Sequence, residues 1–198
     1  KGRHMTKTTL DQPHLLYPDV IGINAKNFKN KPVAICDDEV LSWADFHRQT
    51  NKVANALLNL GLKKGDKVCL VMQTSIEMFV MIWGTVKAGG VTVPLNTMMA
   101  TDSLALLINN SEAKLVFSDA AYHGMVDGVR DGLANVKAEG LIAFGKAGKG
   151  WRAAESLIEA ASDAEPDVTV SHSDSMNIIY SSGSTGVPKG IEHSHFAR

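Results

Sequence analysis

Short apolar runs of strand length alternate with helical patterns along most of this chain, and that alternation constrains the fold more than any other feature. The clearest run, Lys67-Val68-Cys69-Leu70-Val71-Met72, is apolar at successive positions, the pattern of a strand covered on both faces. Val33 to Cys36, Val40 to Ser42, Val91 to Pro94, Leu115 to Phe117, Leu141 to Phe144 and Met176 to Tyr180 read as further strands. Ser42 and Asp45 form a weak capping box, opening a helix with Phe46, Val53, Leu57 and Leu60 on one face and Gly61 just past its end. Ser75 caps a second helix carrying Ile76, Phe79, Val80 and Trp83, which ends near Ala88-Gly89-Gly90. Thr101 caps a third through Leu104, Leu107 and Ile108. Residues 120–137 are predicted as a helix with Met125, Val129, Leu133 and Val136 inward, and residues 151–161 as another. Residues 162–175 are polar, contain Pro166 and read as a loop. Strands alternating with helices predict an α/β fold, a mostly parallel sheet flanked by helices.

Composition removes several function classes. The 198 residues are 44% hydrophobic, enough for a sizeable core, and carry 20 basic against 21 acidic side chains, a net charge of −1. Balanced charge argues against a nucleic-acid or membrane surface, and no apolar run approaches the ~18 residues of a membrane-spanning helix. Cys36 and Cys69 lie far apart in separate strands; they read as two buried thiols of a reducing compartment, so a cytoplasmic protein is expected. Residues 1–5, Lys-Gly-Arg-His-Met, read as an expression-tag remnant. Met72, Met78, Met81, Met98 and Met99, with Trp43 and Trp83, read as packing residues.

The chemistry is concentrated at Tyr180-Ser-Ser-Gly-Ser-Thr-Gly-Val-Pro-Lys-Gly190. Glycine lets backbone N–H groups turn toward an anion. The hydroxyls of Ser181, Ser182, Ser184 and Thr185 donate hydrogen bonds, and Lys189 adds a cation on a flexible stem. Composition alone also fits a Gly/Ser turn or linker, but the strand end before it and the Pro-Lys-Gly closure point to a polyphosphate cradle, placed beyond the carboxyl end of a strand, where parallel sheets put ligand loops. It is not the NTPase P-loop: from Gly183 the second glycine would fall at Pro188, and five residues before Gly186 stands Ser181. Gly183 and Gly186 also miss the dinucleotide spacing, and Pro188 opposes a helix running through the loop. A free loop between extended segments is expected. Downstream, His193 and His195 alternate on an extended segment, but a metal would need a third ligand and none lies nearby in sequence.

The loop resembles the signature loop of the acyl-adenylate-forming superfamily, which includes acyl- and aryl-CoA ligases, luciferases and peptide-synthetase adenylation domains. Four further segments resemble that family in order: Leu41-Ser-Trp-Ala-Asp-Phe46, Leu60-Gly-Leu-Lys-Lys-Gly-Asp-Lys-Val68, Val86-Lys-Ala-Gly-Gly-Val-Thr-Val-Pro-Leu-Asn96 and Lys114-Leu-Val-Phe-Ser-Asp119. The resemblance runs from about Pro32 to the C-terminus. It implies that residues 6–198 are the first subdomain of the family's N-terminal domain, with the C-terminal domain absent.

By that resemblance the parent protein joins a carboxylic acid to AMP using ATP and Mg²⁺, releases pyrophosphate, and passes the acyl group to coenzyme A. The resemblance assigns Ser181, Ser182, Gly183, Ser184, Thr185 and Gly186 to the pyrophosphate cradle and Lys189 to the β and γ phosphates as the catalytic cation. Thr185 is the one expected Mg²⁺ contact, and His195 is placed near the substrate carboxylate. Three readings of the chain itself stay open: an inactive fragment of an acid–CoA ligase, a stand-alone nucleotide- or phosphate-binding module, and a subdomain that self-associates. Transfer to a carrier-protein thiol is the alternative second step.

Overall fold

The computed structural model describes residues 15–146, 148–181 and 188–197. A helix α1 (Tyr17–Asn27) precedes a small antiparallel hairpin of β1 (Pro32–Cys36) and β2 (Glu39–Ser42). Then come α2 (Trp43–Asn59), β3 (Lys67–Val71), α3 (Ile76–Lys87), β4 (Val91–Pro94), α4 (Thr101–Asn110) and β5 (Leu115–Ser118). The chain continues with α5 (His123–Asp127), β6 (Leu141–Ala143), β7 (Arg152–Ala153), α6 (Ala154–Glu159), β8 (Ser175–Ser181) and β9 (Lys189–Ser194). β3 to β9 form one seven-stranded sheet in the order β7-β6-β5-β3-β4-β8-β9. Every neighbouring pair is parallel except β8 and β9. The α/β class with a mostly parallel sheet is therefore as the alternation predicts.

Strand period divides the core in two. On β3, Val68 and Leu70 face one layer of helices, whereas Cys69 and Val71 face the other, because successive side chains of a strand point to opposite faces. The first layer joins α1, α2, α3 and α6 through Phe46, Val53, Leu57, Val80 and Met81. Its centre is an aromatic stack of Phe46 on Phe79, ring centroids 4.8 Å apart. The second packs Leu104, Leu107 and Ile108 of α4 and Val126 of α5 against Val91, Val93, Val116 and Ile178.

The caps follow the local chemistry. Ser42 Oγ accepts from the Asp45 N–H at 3.1 Å. The Asp45 carboxylate takes the Ser42 hydroxyl at 2.7 Å instead of reaching back to the backbone, so the box closes through side chains. Ser75 Oγ accepts from the Met78 N–H at 3.1 Å. Gly61 adopts φ +85° just after α2, the left-handed turn that glycine enters without strain.

Three expectations are corrected. Residues 120–137 are not one helix: α5 is five residues long, and Arg130–Gly132 is a short 3₁₀ turn. Gly124, Gly128 and Gly132 recur every fourth residue there, and each glycine costs a helix interior about 1 kcal/mol relative to alanine. The predicted helix at 151–161 begins only at Ala154, because Arg152 and Ala153 pair with Ile142 and Ala143 as an edge strand. Thr101 is the first residue of α4, not its cap; Ala100 holds that place and makes no side-chain cap. Cys69 is buried and Cys36 only partly so; neither forms a disulfide.

Candidate functional site

β8 and β9 form an antiparallel pair at one edge of the sheet, and the signature loop joins them. Their ladder runs from Ser175–Ser194 at one end to Ser181–Lys189 at the other. The assigned cradle residues Ser182, Gly183, Ser184, Thr185 and Gly186 lie outside the described residues. Ser181 and Lys189 are described, exposed, and stand opposite one another at the loop's two ends. β8 lies parallel to β4, so the loop leaves the carboxyl edge of the parallel sheet, beside the segment Leu95–Ala100 that follows β4. Ligand loops of parallel sheets occupy that edge.

Tyr180 anchors the approach to the loop. Alternation puts Ile178 and Tyr180 on the face of β8 that meets α4. The Tyr180 hydroxyl donates to Asn110 Oδ1 at 2.7 Å, with the Leu107 carbonyl at 3.3 Å. Burial, with the Cys69 thiol behind it, pushes the phenol pKa up, so Tyr180 serves as a neutral strut. Opposite it stands Gly190. A Cβ on Gly190 would come within 3.1 Å of both the Tyr180 ring and Ile178, so the glycine lets the ring lie flat across β9. The sequence reading gave Tyr180 no role; its signal is the two-residue spacing from Ile178, which puts both on one face.

The structure separates His195 from this loop. The His195 N–H donates to the Asp174 carbonyl at 3.0 Å, beside the first residue of β8, whereas the loop leaves from the last. Six strand steps of about 3.3 Å put roughly 20 Å between them. His195 is buried at 6% exposure. Burial lowers its pKa, Asp174 pulls against that, and His172 and Lys64 push the same way as burial. It belongs to a cluster at the start of β8 in which Lys64 Nζ lies 2.6 Å from Asp174 Oδ2. The described residues thus bring Ser181 and Lys189 together and leave His195 at the opposite edge. His193 faces Asn177 across the ladder, donating from Nδ1 to its Oδ1 at 2.9 Å.

The place where strand order reverses, between β3 and β5, is a second position at which such sheets hold ligands. There the Gln73 N–H just beyond β3 donates to Asp119 Oδ2 just beyond β5 at 2.7 Å, tying the two strand ends together. The residues with phosphate chemistry lie instead at the edge loop after β8. Among the described residues no helix is long and apolar enough to cross a membrane.

Comparison with known proteins identifies the family. The family described as AMP-binding enzyme matches residues 23–198. A long-chain-fatty-acid–CoA ligase, FadD13, of Mycobacterium tuberculosis is 34% identical over 162 residues, covering 80% of this chain and 30% of that protein. A fatty acid–acyl-carrier-protein ligase, ScoC, of Streptomyces coeruleorubidus is 26% identical over 173 residues, covering 87% of this chain and 31% of that protein. The chain thus spans about a third of the length of these relatives. Among solved structures, the inhibitor-bound N-terminal domain of FACL13 from Mycobacterium tuberculosis superposes with a TM-score of 0.79 at 28% identity, covering 91% of this chain and 44% of that one. An anthranilate CoA ligase, AuaEII, in complex with anthranoyl-AMP shares the fold at a TM-score of 0.86 and 24% identity, over 93% of this chain and 36% of that one. With a family match over most of its length and a relative at 34% identity, the chain belongs to the AMP-binding enzyme family of adenylate-forming acyl-CoA and acyl-carrier-protein ligases.

Proposed function

We propose that the protein, at the length of its relatives, activates a carboxylic acid with ATP to give an acyl-adenylate and pyrophosphate, then passes the acyl group to the thiol of coenzyme A. The observation that carries this is the β8–β9 hairpin: it opens at the carboxyl edge of a parallel sheet and sets Ser181 opposite Lys189 across the mouth of a loop rich in glycine and hydroxyls. The carboxylate oxygen attacks the α-phosphorus, and the bond to the β-phosphate oxygen breaks. Negative charge grows on the departing pyrophosphate. Fixed N–H and O–H donors aimed there stabilise it without reorganising, as an oxyanion hole does. In this reading Ser181, Ser182, Ser184, Thr185 and the Gly183 and Gly186 backbone form the cradle, and Lys189 follows the β and γ phosphates.

No group of three or more His, Cys, Asp or Glu among the described residues is placed to hold a metal ion. In this reading Mg²⁺ would enter on the phosphates, with the Thr185 hydroxyl as its protein contact, and would neutralise phosphate charge. His195 has no part in this reading, being at the far edge of the sheet.

ATP–pyrophosphate exchange tests the proposal. The family-length protein is expected to exchange label in the presence of its acid, and the 198-residue chain alone is expected to show none, since it spans about 30% of the length of its relatives. Exchange by the short chain would overturn the assignment of an inactive fragment. Calorimetric titration of the short chain with ATP–Mg²⁺ separates that fragment from a stand-alone phosphate-binding module. A second acceptor, a carrier-protein thiol, is favoured by the likeness to the Streptomyces ligase. Supplying coenzyme A and a carrier protein in parallel to the loaded enzyme distinguishes the two.

A further inference from the structure

Lys87 ends α3 with its side chain fully buried. An ammonium has three N–H donors and no acceptor, and here it meets three acceptors: Asn51 Oδ1 at 2.6 Å, His47 Nδ1 at 3.1 Å and Glu165 Oε1 at 3.3 Å. The donor count fixes the histidine. With Lys87 donating, His47 Nδ1 carries the lone pair and the ring is neutral; its Nε2 lies 3.3 Å from Glu165 Oε2 and 3.4 Å from Asn51 Nδ2. His47 and Asn51 belong to α2, Lys87 to α3, and Glu165 to the polar segment that leads to β8.

Polar contacts from α2 and Lys64 hold much of that segment, with Val168 packed at Gly89. None of residues 162–170 is buried. Asn51 Nδ2 donates to the Asp163 carbonyl at 3.0 Å, Asn55 Nδ2 to those of Ser162 and Ala164 at 2.8 and 2.9 Å, and Lys64 Nζ to that of Thr169 at 3.1 Å. Glu165 stands between two cavities. One, of about 550 Å³, is lined by Asp19, Ile23 and Lys26 of α1 and by His47; the other, of about 270 Å³, by Lys87 and Val168 to Val170. The half-exposed carboxylate has room to move between them.

We propose that residues 162–170 are an acid-released strap, freed from the α2–α3 face when His47 takes a proton on Nδ1. That proton would point at the Lys87 ammonium, setting donor against donor and like charge against like. Lys87 is enclosed and cannot retreat. His47 is partly exposed and borders the larger cavity, so the imidazolium turns outward and Glu165, its counter-charge, goes with it. The groups facing His47 are Lys87 from α3, Glu165 from the strap, Asn51 from its own helix, and Lys26 and Asp19 from α1. Burial first and then Lys87 lower the imidazole pKa, Glu165 opposes them, and Lys26 adds to the lowering. The strap therefore holds above the ordinary imidazole value and loosens as pH falls through the lowered one. The apolar α2–α3 contact is untouched, so the release is local.

Hydrogen–deuterium exchange of the 198-residue chain, corrected for intrinsic rates, tests this at about pH 7.5 and about pH 5. Peptides over 162–170 are expected to lose protection by about tenfold at the lower pH, while β3 and β4 peptides keep theirs. His47→Gln cannot titrate, so its strap should exchange equally at both pH values. Glu165→Gln, on the exposed segment, should have a loosened strap at both. Unchanged protection in the parent chain overturns the proposal, as does loss shared with β3. The same pH response in His47→Gln does so too, by moving the effect to carboxylates. If His47→Gln does not fold, Glu165→Gln decides: a strap as protected as the parent's at the higher pH overturns it.

Discussion

Ser181 and Lys189 are direct partners across the last rung of the β8–β9 ladder, eight positions apart in sequence and side by side in space. The relationship gives the loop between them a rigid base. In a directly opposed antiparallel pair both side chains point to the same face, so a hydroxyl and an ammonium flank one mouth. If the loop takes phosphate as proposed, this base fixes Ser181 and Lys189 before the ligand arrives, the general advantage of preorganised sites.

Lys189→Ala in the family-length protein should slow adenylation by about 100-fold, the loss typical of removing one donor to a developing negative charge. The KM for the acid should move much less, because in the proposed reading Lys189 follows the phosphates and not the acid carboxylate. Single-turnover formation of acyl-AMP is the measurement. A rate within about threefold of the parent's would remove Lys189 from the machinery.

The close contact between α2 and α3 rests on Gly84. A methyl there would overlap the Val53 side chain and come within 3.1 Å of the Thr50 carbonyl. Both neighbours are buried, and Thr50 is already held by its hydroxyl to the Phe46 carbonyl at 2.8 Å. Gly84→Ala gains helix propensity, about 1 kcal/mol, but overpacking costs about 1–3 kcal/mol. The expected net is destabilisation, read as a urea midpoint below the parent's with an unchanged slope. A raised midpoint would show that α2 moves aside freely.

Thiol chemistry separates the two cysteines. Cys69 lies inside β3 with no exposure, and burial raises its pKa to about 12 against a weaker pull from the Ser111 hydroxyl, 3.5 Å away. The thiolate is the reactive form. Alkylation of the native chain near neutral pH should label the partly exposed Cys36 and leave Cys69 untouched until denaturant is added. Peptide mass spectrometry of the labelled chain reads this, and native labelling of Cys69 would contradict its place in the core.

The architecture was legible because β3 and β5 carry apolar residues at successive positions, which only a doubly covered strand tolerates. The 120–137 segment misled because its apolar spacing is helical while its three glycines are not; period and propensity conflicted, and the glycines prevailed. α1 was missed because only Ile21 of it is buried, too little to set a stripe. At the site, residue types and order were readable, since phosphate chemistry is local to one loop. His195 was placed near the substrate carboxylate by family resemblance alone, and its distance from the loop was not readable: an extended strand carries the chain away from Lys189 at about 3.3 Å per residue. The strap was read as a plain loop for a related reason. Its partners Asn51, Asn55 and Lys87 lie some 80 to 110 positions earlier, and no local pattern announces such contacts.

The salt bridge at the start of β8 makes a pH prediction of definite sign. Asp174 accepts from Lys64 at 2.6 Å and from the Ser171 N–H at 2.6 Å. Partial burial works against its charge, but the Lys64 ammonium and the Ser171 donors outweigh that and hold the carboxyl below its usual range. With the folded pKa depressed, the unfolded chain binds the extra proton once pH drops below the ordinary aspartate value of about 4. The contribution is thus complete above that value and lost as pH falls through the lowered one. Asp174→Asn removes the charge and leaves Lys64 without its carboxylate. Stability near neutral pH should fall by about 0.5–1.5 kcal/mol, the exposure of Lys64 screening the pair. Below about pH 4 the parent should lose stability more steeply than the variant, so the two curves converge. Urea midpoints across that range measure it, and parallel curves would show that the Lys64–Asp174 pair contributes nothing to the fold.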